Sequence, residues 1–376
     1  MMKIFKVLGL LILTMVSLIL IVGLLFVNLS PQFGGSPTEE QTESYSKTGH
    51  YKEGVFVNEL ETNMDMDFSA MYETMLEFIK GGENLQPKED LPVKKIEAQW
   101  IEQNKNQLTK LTWFGHSAFL LQLDGKKILI DPMLGESPAP HPMIGVKRYN
   151  KEIPIEIKNL PFIDFVIISH DHYDHLDYES VMKLKGKVGK FYMPLGVGTH
   201  FKSWGFDENQ ILELDWWDET MEDNIKLVCT PSRHFSGRGL TDRSATLWSS
   251  WVILSEKKKI YFSGDGGFGP HFKEIGDKYG PFDVGLMECG QYNKNWAQIH
   301  MMPEQTVQAT IDVGAQWLVP VHWGAFTLSL HDWTDPIERV SAEAKRKNVN
   351  ISTPAIGETI VLEHSLFPNS VWWKGL

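Results

Sequence analysis

A chain of 376 residues, 42% hydrophobic and 22% charged, has the make-up of a folded globular protein and not of a disordered one. Its formal net charge of -12 excludes the broad basic surface through which proteins neutralise nucleic-acid phosphates, so nucleic acid is set aside as a partner. The two cysteines, Cys229 and Cys289, sit in hydrophobic runs without CxxC spacing and read as buried apolar thiols, not as thiolate metal ligands.

Val7 to Val27 runs 21 residues without a charge behind Lys3 and Lys6. That is long enough for a helix to cross the hydrocarbon core of a bilayer. It exceeds the usual core of a signal peptide, and no small-x-small cleavage site follows Phe26-Val27-Asn28-Leu29. An uncleaved signal anchor over residues 1–30 is therefore expected, with a cleaved signal peptide as the alternative. Lys3 and Lys6 would stay in the cytoplasm, giving a single-pass protein of the cell membrane whose remainder lies on the extracytoplasmic side.

Residues 31–105 are expected to form a tether and an amphipathic extension. Ser30 to His50 is rich in Ser, Thr, Gly, Pro and Glu without an apolar period, as a flexible spacer would be. From Asp67 to Lys80, Phe68, Met71, Met75, Phe78 and Ile79 recur at helical spacing, and Gly81-Gly82 stops the run. This stripe is expected to pack on the main domain, the alternative being a lipid-facing or substrate-gating helix.

The period changes to two at Leu108. Runs from Leu111 to Leu123 and from Lys126 to Asp131 meet at Asp124-Gly125, a two-residue hairpin signal. Further strands are predicted at 165–168, 190–194, 225–230, 250–255, 259–262, 284–288, 317–321 and 359–363. Helices are predicted at 180–185, 270–279, 303–313 and 336–346. Many strands with interspersed helices in one block, 106–376, predict an α/β sandwich layered helix, sheet, sheet, helix.

The chemistry gathers in Ile167-Ile168-Ser169-His170-Asp171-His172-Tyr173-Asp174-His175, where a buried strand gives way to a wholly polar loop. In an extended backbone, residues 170 and 172 point the same way, and 174 and 175 follow where the chain turns, so one loop offers two ligand pairs. Imidazole and carboxylate together suit zinc or a neighbouring divalent ion such as iron or manganese. Three more strands each end in a ligand type: His234 after 227–230, Asp265 after 260–262 and His322 after 318–321. The glycines of Gly264 to Gly269 fit no Walker or dinucleotide pattern and are read as letting backbone approach a metal. Five imidazoles and two carboxylates make three or four ligands for each of two ions if Asp265 is shared, a set that activates water for hydrolysis.

In order and spacing, the HxHxDH loop and the later His, Asp and His resemble the metallo-β-lactamase superfamily over roughly residues 106–365. The segments Trp113-Phe114-Gly115-His116-Ser117, Ile130-Asp131-Pro132, Ser232-Arg233-His234-Phe235-Ser236, Ser263-Gly264-Asp265-Gly266-Gly267 and Pro320-Val321-His322-Trp323-Gly324 are similar to the N-acyl-phosphatidylethanolamine-hydrolysing phospholipases D. The resemblance implies an αβ/βα sandwich with two Zn2+ per chain. His170, His172 and His234 would hold one ion, Asp174, His175 and His322 the other, and Asp265 would bridge them. Asp174 and Asp265 would be the catalytic carboxylates, and water attack would release phosphatidic acid and an N-acylethanolamine. Asp131 is expected to orient a ligand imidazole. His300 matches a family histidine near the site and is expected to position the phosphate or protonate the leaving oxygen, the alternative being a helix-capping or surface role. His116, like His331, reads first as a buried hydrogen-bonded histidine, with His116 a candidate partner behind the ligands.

Arg233, Arg238 and Arg243 read as solvated loop arginines, and most of the thirteen tryptophans as core. The animal members of the family lack a spanning helix, so the anchor departs from them, although tethering suits a phospholipid substrate. The alternatives are a metal-dependent lactonase or ester hydrolase on the same ligands, and a membrane-tethered metal or lipid sensor without catalysis. A homodimer is compatible with the sequence.

Overall fold

A computed structural model describes residues 2–63, 68–103 and 108–376. Helix α1 (Met2–Leu29) is apolar on every side, with a mean hydropathy of 3.1 over its best window and none of that window buried against protein. A helix whose apolar window has no polar face and is not buried against protein is suited to lipid.

Composition predicts a flexible spacer after it, and the structure differs. Residues 31–33 form a 3-10 turn, and α2 (Glu39–Tyr45) opens with a capping box in which Thr38 and Gln41 satisfy each other's backbone amides. Tyr45 closes the helix buried in the main core, and the short hairpin β1 (Tyr51–Lys52) and β2 (Val55–Phe56) buries Phe56 beside it. Packing overrides composition here because two aromatic anchors fasten a polar segment.

The helix predicted to open at Asp67 is observed as α3 (Phe68–Lys80); Asp67 itself lies outside the described residues, as does the expected boundary near residue 105. Met71, Met75, Phe78 and Ile79 are exposed, so the stripe is not packed on the domain. The buried member of the helix is Thr74, whose hydroxyl accepts from Asn295 Nδ2 at 3.0 Å. A short helix α4 (Ala98–Glu102) precedes the sandwich.

The first half of the sandwich runs β3 (Lys110–Trp113), β4 (Phe119–Leu123), β5 (Lys126–Ile130), β6 (Ile163–Ile167), α5 (Tyr178–Leu184), β7 (Val188–Pro194), α6 (Gly198–Ser203) and β8 (Ile211–Leu214). The second runs β9 (Glu219–Glu222), β10 (Ile225–Thr230), β11 (Ser250–Leu254), β12 (Lys259–Phe262), α7 (His271–Tyr279), β13 (Phe282–Glu288), α8 (Pro303–Val313), β14 (Ala315–Val321), α9 (Asp335–Lys347) and β15 (Asn350–Ile351). The last strand, β16 (Thr359–Val361), returns to pair antiparallel with β3. Two seven-stranded sheets result, ordered β16-β3-β4-β5-β6-β7-β8 and β15-β14-β13-β12-β11-β10-β9.

The pleat assigns the two faces. Phe119, Leu121, Ile128 and Ile130 point into the core between the sheets, and Leu120 and Leu129 point into an outer core with Val181, Leu184 and Phe201 of α5 and α6. Burial on both faces explains why these strands read as nearly unbroken apolar runs. Asp124-Gly125 forms the expected hairpin, both residues at positive φ. The run predicted from Leu111 to Leu123 is instead two strands, split at Gly115-His116, which also take positive φ. Trp113, Trp248, Trp251 and Trp323 are fully buried, and so are both cysteines.

Candidate metal centre

Strands β5 and β6 run parallel, as do β12, β13 and β14, and the antiparallel steps through β4 and β11 bring β3 and β10 into the same sense. The C-terminal ends of six strands from both sheets therefore open at one edge. Each carries a polar residue there: His116 after β3, Asp131 after β5, His170 to His175 after β6, His234 after β10, Asp265 after β12 and His322 after β14.

The nitrogen and oxygen atoms converge in two sets. His170 Nε2 lies 2.9 Å from His172 Nδ1, which lies 3.2 Å from His234 Nε2. In the other set, Asp174 Oδ2 lies 3.6 Å from His175 Nε2 and 3.8 Å from His322 Nε2. Asp265 Oδ2 stands between them, 3.1 Å from His175 Nε2, 3.9 Å from His170 Nε2 and 4.0 Å from His234 Nε2. Tetrahedral ligands about 2.0–2.1 Å from a zinc ion are about 3.3 Å apart, so these separations fit a shared ion.

Every predicted ligand is thus gathered here, and the chemistry of the donors also fits a cation. His175 Nε2 and Asp265 Oδ1 are buried and have no hydrogen-bond partner among the described residues, a costly state for polar atoms unless a ligand satisfies them. Burial holds His170, His234 and His322 well below the usual imidazole range and His172 down to about 4, which keeps them neutral, as metal ligation requires. Burial also pushes Asp265 up to about 6, although His175 opposes it. His175 is the exception: burial disfavours its charge, yet Asp265, Asp174 and Asp131 together raise its pKa well above the ordinary value.

Outer partners aim the rings. Asp131 Oδ2 lies 2.6 Å from His175 Nδ1, and its carboxylate also accepts from Ser169 N at 2.7 Å and Ser169 Oγ at 2.5 Å. Ser169 Oγ is 2.9 Å from His170 Nδ1, and the Ile299 carbonyl is 2.9 Å from His234 Nδ1, leaving both Nε2 atoms for the cluster. His116 is fully buried and turns Nε2 to Asp174 Oδ2 at 2.9 Å, which places it beside a candidate ligand. Asp131, His116 and His322 all take positive φ, an unfavourable conformation for a residue with a Cβ that clusters at functional sites. Gly264 takes positive φ too, and a Cβ there would meet the Ser249 carbonyl at 2.5 Å, so glycine is needed for the close approach that sets Asp265.

His300 stacks on His322 at 5.3 Å between ring centroids and stands 5.1 Å from His234. Its Nδ1 lies 2.8 Å from Glu288 Oε1. Glu288 is a residue that sequence reading missed, since it ends an apolar strand and looks like a strand-end carboxylate. Burial raises its pKa well above the carboxylate range, and Met301 N donates to its other oxygen at 3.1 Å. Asp171 has no role in the motif reading. It is buried and accepts from Gly237 N at 2.8 Å and Thr246 Oγ1 at 2.8 Å, and it faces His200 Nε2 at 3.1 Å. His331 lies apart, accepting from Gln291 N and stacked on Tyr292.

Arg238 and Arg233 correct the expectation of solvated side chains, whereas Arg243 is exposed as expected. Arg238 is buried and donates to the carbonyls of Gln32, Asp171 and Leu176. Arg233 reaches Thr62, the Glu61 and Phe268 carbonyls and Gln298, and the Arg243 guanidinium lies 3.8 Å over the Phe235 ring. All three brace loops around His234.

A two-sheet sandwich with a His/Asp cluster across the strand ends defines a metal-dependent hydrolase of the metallo-β-lactamase type. The family described as "Beta-lactamase superfamily domain" matches residues 126–323, and the chain belongs to that superfamily. An uncharacterised protein of Mycobacterium tuberculosis strain H37Rv is 39% identical over 316 residues, 83% of this chain and 84% of that protein. N-acyl-phosphatidylethanolamine-hydrolyzing phospholipase D 1 of Caenorhabditis elegans is 32% identical over 264 residues, 66% of this chain and 74% of the relative. Among solved structures, Igni18, a metallo hydrolase from the archaeon Ignicoccus hospitalis, aligns with a TM-score of 0.50 and 25% identity, over 67% of this chain and 97% of that one.

Proposed function

We propose that this protein is a membrane-anchored di-zinc phosphodiesterase of phospholipase D type, hydrolysing N-acyl-phosphatidylethanolamine or a related glycerophospholipid. The observation that carries the reading is the position of Asp265 Oδ2, within 4.0 Å of donors in both sets, where one carboxylate can serve two ions. The phospholipase relative supports the substrate class.

His170, His172 and His234 would hold one zinc, Asp174, His175 and His322 the second, and Asp265 both. The ions, when bound, supply an activated water and neutralise charge on the phosphodiester. Asp174 and Asp265 accept hydrogen bonds from that water and fix its approach to phosphorus. Attack breaks the bond from phosphorus to the ethanolamine oxygen, leaving phosphatidic acid. His300, oriented by Glu288, gives a proton to the departing alkoxide, which leaves as N-acylethanolamine. His116 and Asp131 hold Asp174 and His175 in place. Helix α1 spans the membrane with Lys3 and Lys6 in the cytoplasm and the sandwich on the extracytoplasmic side.

The full chain, incubated with vesicles containing N-acyl-phosphatidylethanolamine, is expected to release phosphatidic acid and N-acylethanolamine. Turnover of lactones or carboxylic esters without that release would reject the phosphodiesterase in favour of an ester hydrolase on the same ligands. Elemental analysis should find two zinc ions per chain, and Asp265→Asn should lose zinc and turnover together. Fewer than one ion per chain, in protein never exposed to chelators, would contradict the scheme.

A further inference from the structure

Helix α1 leaves the domain at a particular place. Phe26, near its end, packs edge-on against Phe33 with ring centroids 5.5 Å apart and lies 6.4 Å from the His141 ring. Phe33 packs edge-on at 6.5 Å against Tyr173, the residue between His172 and Asp174. Hydrogen bonds then fix the exit. Trp204 Nε1 donates to the Pro31 carbonyl at 2.7 Å, and Arg238 Nε to that of Gln32 at 2.9 Å. Gly35 N donates to His200 Nδ1 at 3.2 Å, and the far side of that ring meets Asp171. The end of the apolar helix is thus a fixed part of the wall around the ligand loop, at the face where His172, Tyr173 and Asp174 are only partly buried.

Two loops beside this exit end in large apolar side chains. Pro138 to Val146 holds no Asp, Glu, Lys or Arg. His141 in that stretch meets Phe26, and Met143 and Ile144 at its tip are 87% and 67% exposed. Leu240 is 85% exposed, two residues beyond the Arg238 that grips Gln32. Surface leucines scattered singly need no explanation, but apolar loop tips grouped at the mouth of a site do.

We infer that loops 138–146 and 239–241 dip into the interfacial layer of the same bilayer that α1 spans, holding the partly exposed face of the ligand loop against the membrane. Substrate then reaches the site from that bilayer, without passing through water. The occupant is lipid because the loops are continuous with the helix exit, and none of the helix's apolar window is buried against protein. A short segment locked at both Pro31 and Gly35 leaves the domain little freedom to swing away from the membrane. The inference rests on α1 being a span and is independent of the phosphodiester chemistry.

The test uses site-directed fluorescence on the full chain in phosphatidylcholine vesicles. Cys229 and Cys289 are buried, so an environment-sensitive thiol dye will report single cysteines introduced as Met143→Cys, Leu240→Cys, Ser17→Cys within the helix and Glu256→Cys. Glu256 follows β11 at the sheet end remote from the ligands, because Leu254 pairs with Lys226 while Ser250 pairs with Thr230. Lipids carrying a shallow nitroxide should quench the dye at 143 and 240, lipids carrying a nitroxide deep in the acyl chain should quench it at 17, the midpoint of the apolar run, both should leave 256 bright, and aqueous iodide should show the reverse order. Quenching at 17 with none at 143 and 240 beyond the value at 256 overturns the docking while leaving the span intact. Failure at 17 as well removes the span, and with it this inference. Protection of 143 and 240 from iodide without lipid quenching would mean a protein partner, such as a second copy of the chain, and would equally overturn it. No readout depends on turnover.

Discussion

Asp131 contributes no atom to the two donor sets, yet it bonds His175 directly and steers His170 through Ser169. Outer carboxylates of this kind typically govern metal affinity, so Asp131→Asn is expected to weaken zinc binding by about 10–100-fold, read by competition with a chromophoric chelator. Wild-type affinity in that variant would make the carboxylate merely structural. His300 should behave differently. His300→Gln is expected to lower kcat by about 10²–10⁴-fold, the usual contribution of a general acid, with zinc content unchanged. A loss of zinc instead would reassign His300 as a ligand. Ligation also requires a deprotonated Asp265, which burial pushes up to about 6. Protons therefore compete with the ions: zinc should be retained at pH 8 and released progressively as pH falls through about 6, measured by dialysis and elemental analysis. The seven candidate ligand residues were legible because charge-bearing side chains stand at the ends of apolar runs. Glu288 was not, since a single carboxylate closing a strand has no pattern, and its partner His300 comes from 12 residues later.

Among the elements, the central strands were the easiest to read. Burial on both faces makes them short apolar blocks, and β10, β12 and α8 fall where predicted. The edge strands were not. In β9, Glu219 and Met221 are exposed, so half of its residues advertise a loop, and β8 is likewise mixed. Residues 30–50 were misread as a spacer for a related reason: their order comes from contacts made in trans with the domain, which local composition does not encode. Arg238 is the clearest of those contacts. Arg238→Met should cost about 2–3 kcal/mol, because the carbonyls of Gln32, Asp171 and Leu176 lose charged donors, and should lower the chemical-denaturation midpoint of the whole chain. A midpoint unchanged from wild type would show that the segment is held by its aromatic contacts alone.

At the scale of the molecule, neither sheet owns the site. Asp131 and residues 170–175 come from one sheet, His234, Asp265 and His322 from the other, and the two donor sets each mix both. The sandwich class was readable from the alternation of strands and helices, whereas its strand order was not, because β16 pairs with β3 across the 247 positions that separate Thr359 from its partner Thr112. That pairing has a consequence for how the protein is made. A ribosome delivers the loop of residues 170–175 before His234, Asp265 and His322, and the strand that seals the first sheet after all of them. The cation cage is therefore incomplete until His322 has emerged, and an ion captured there certifies that the two sheets have come together.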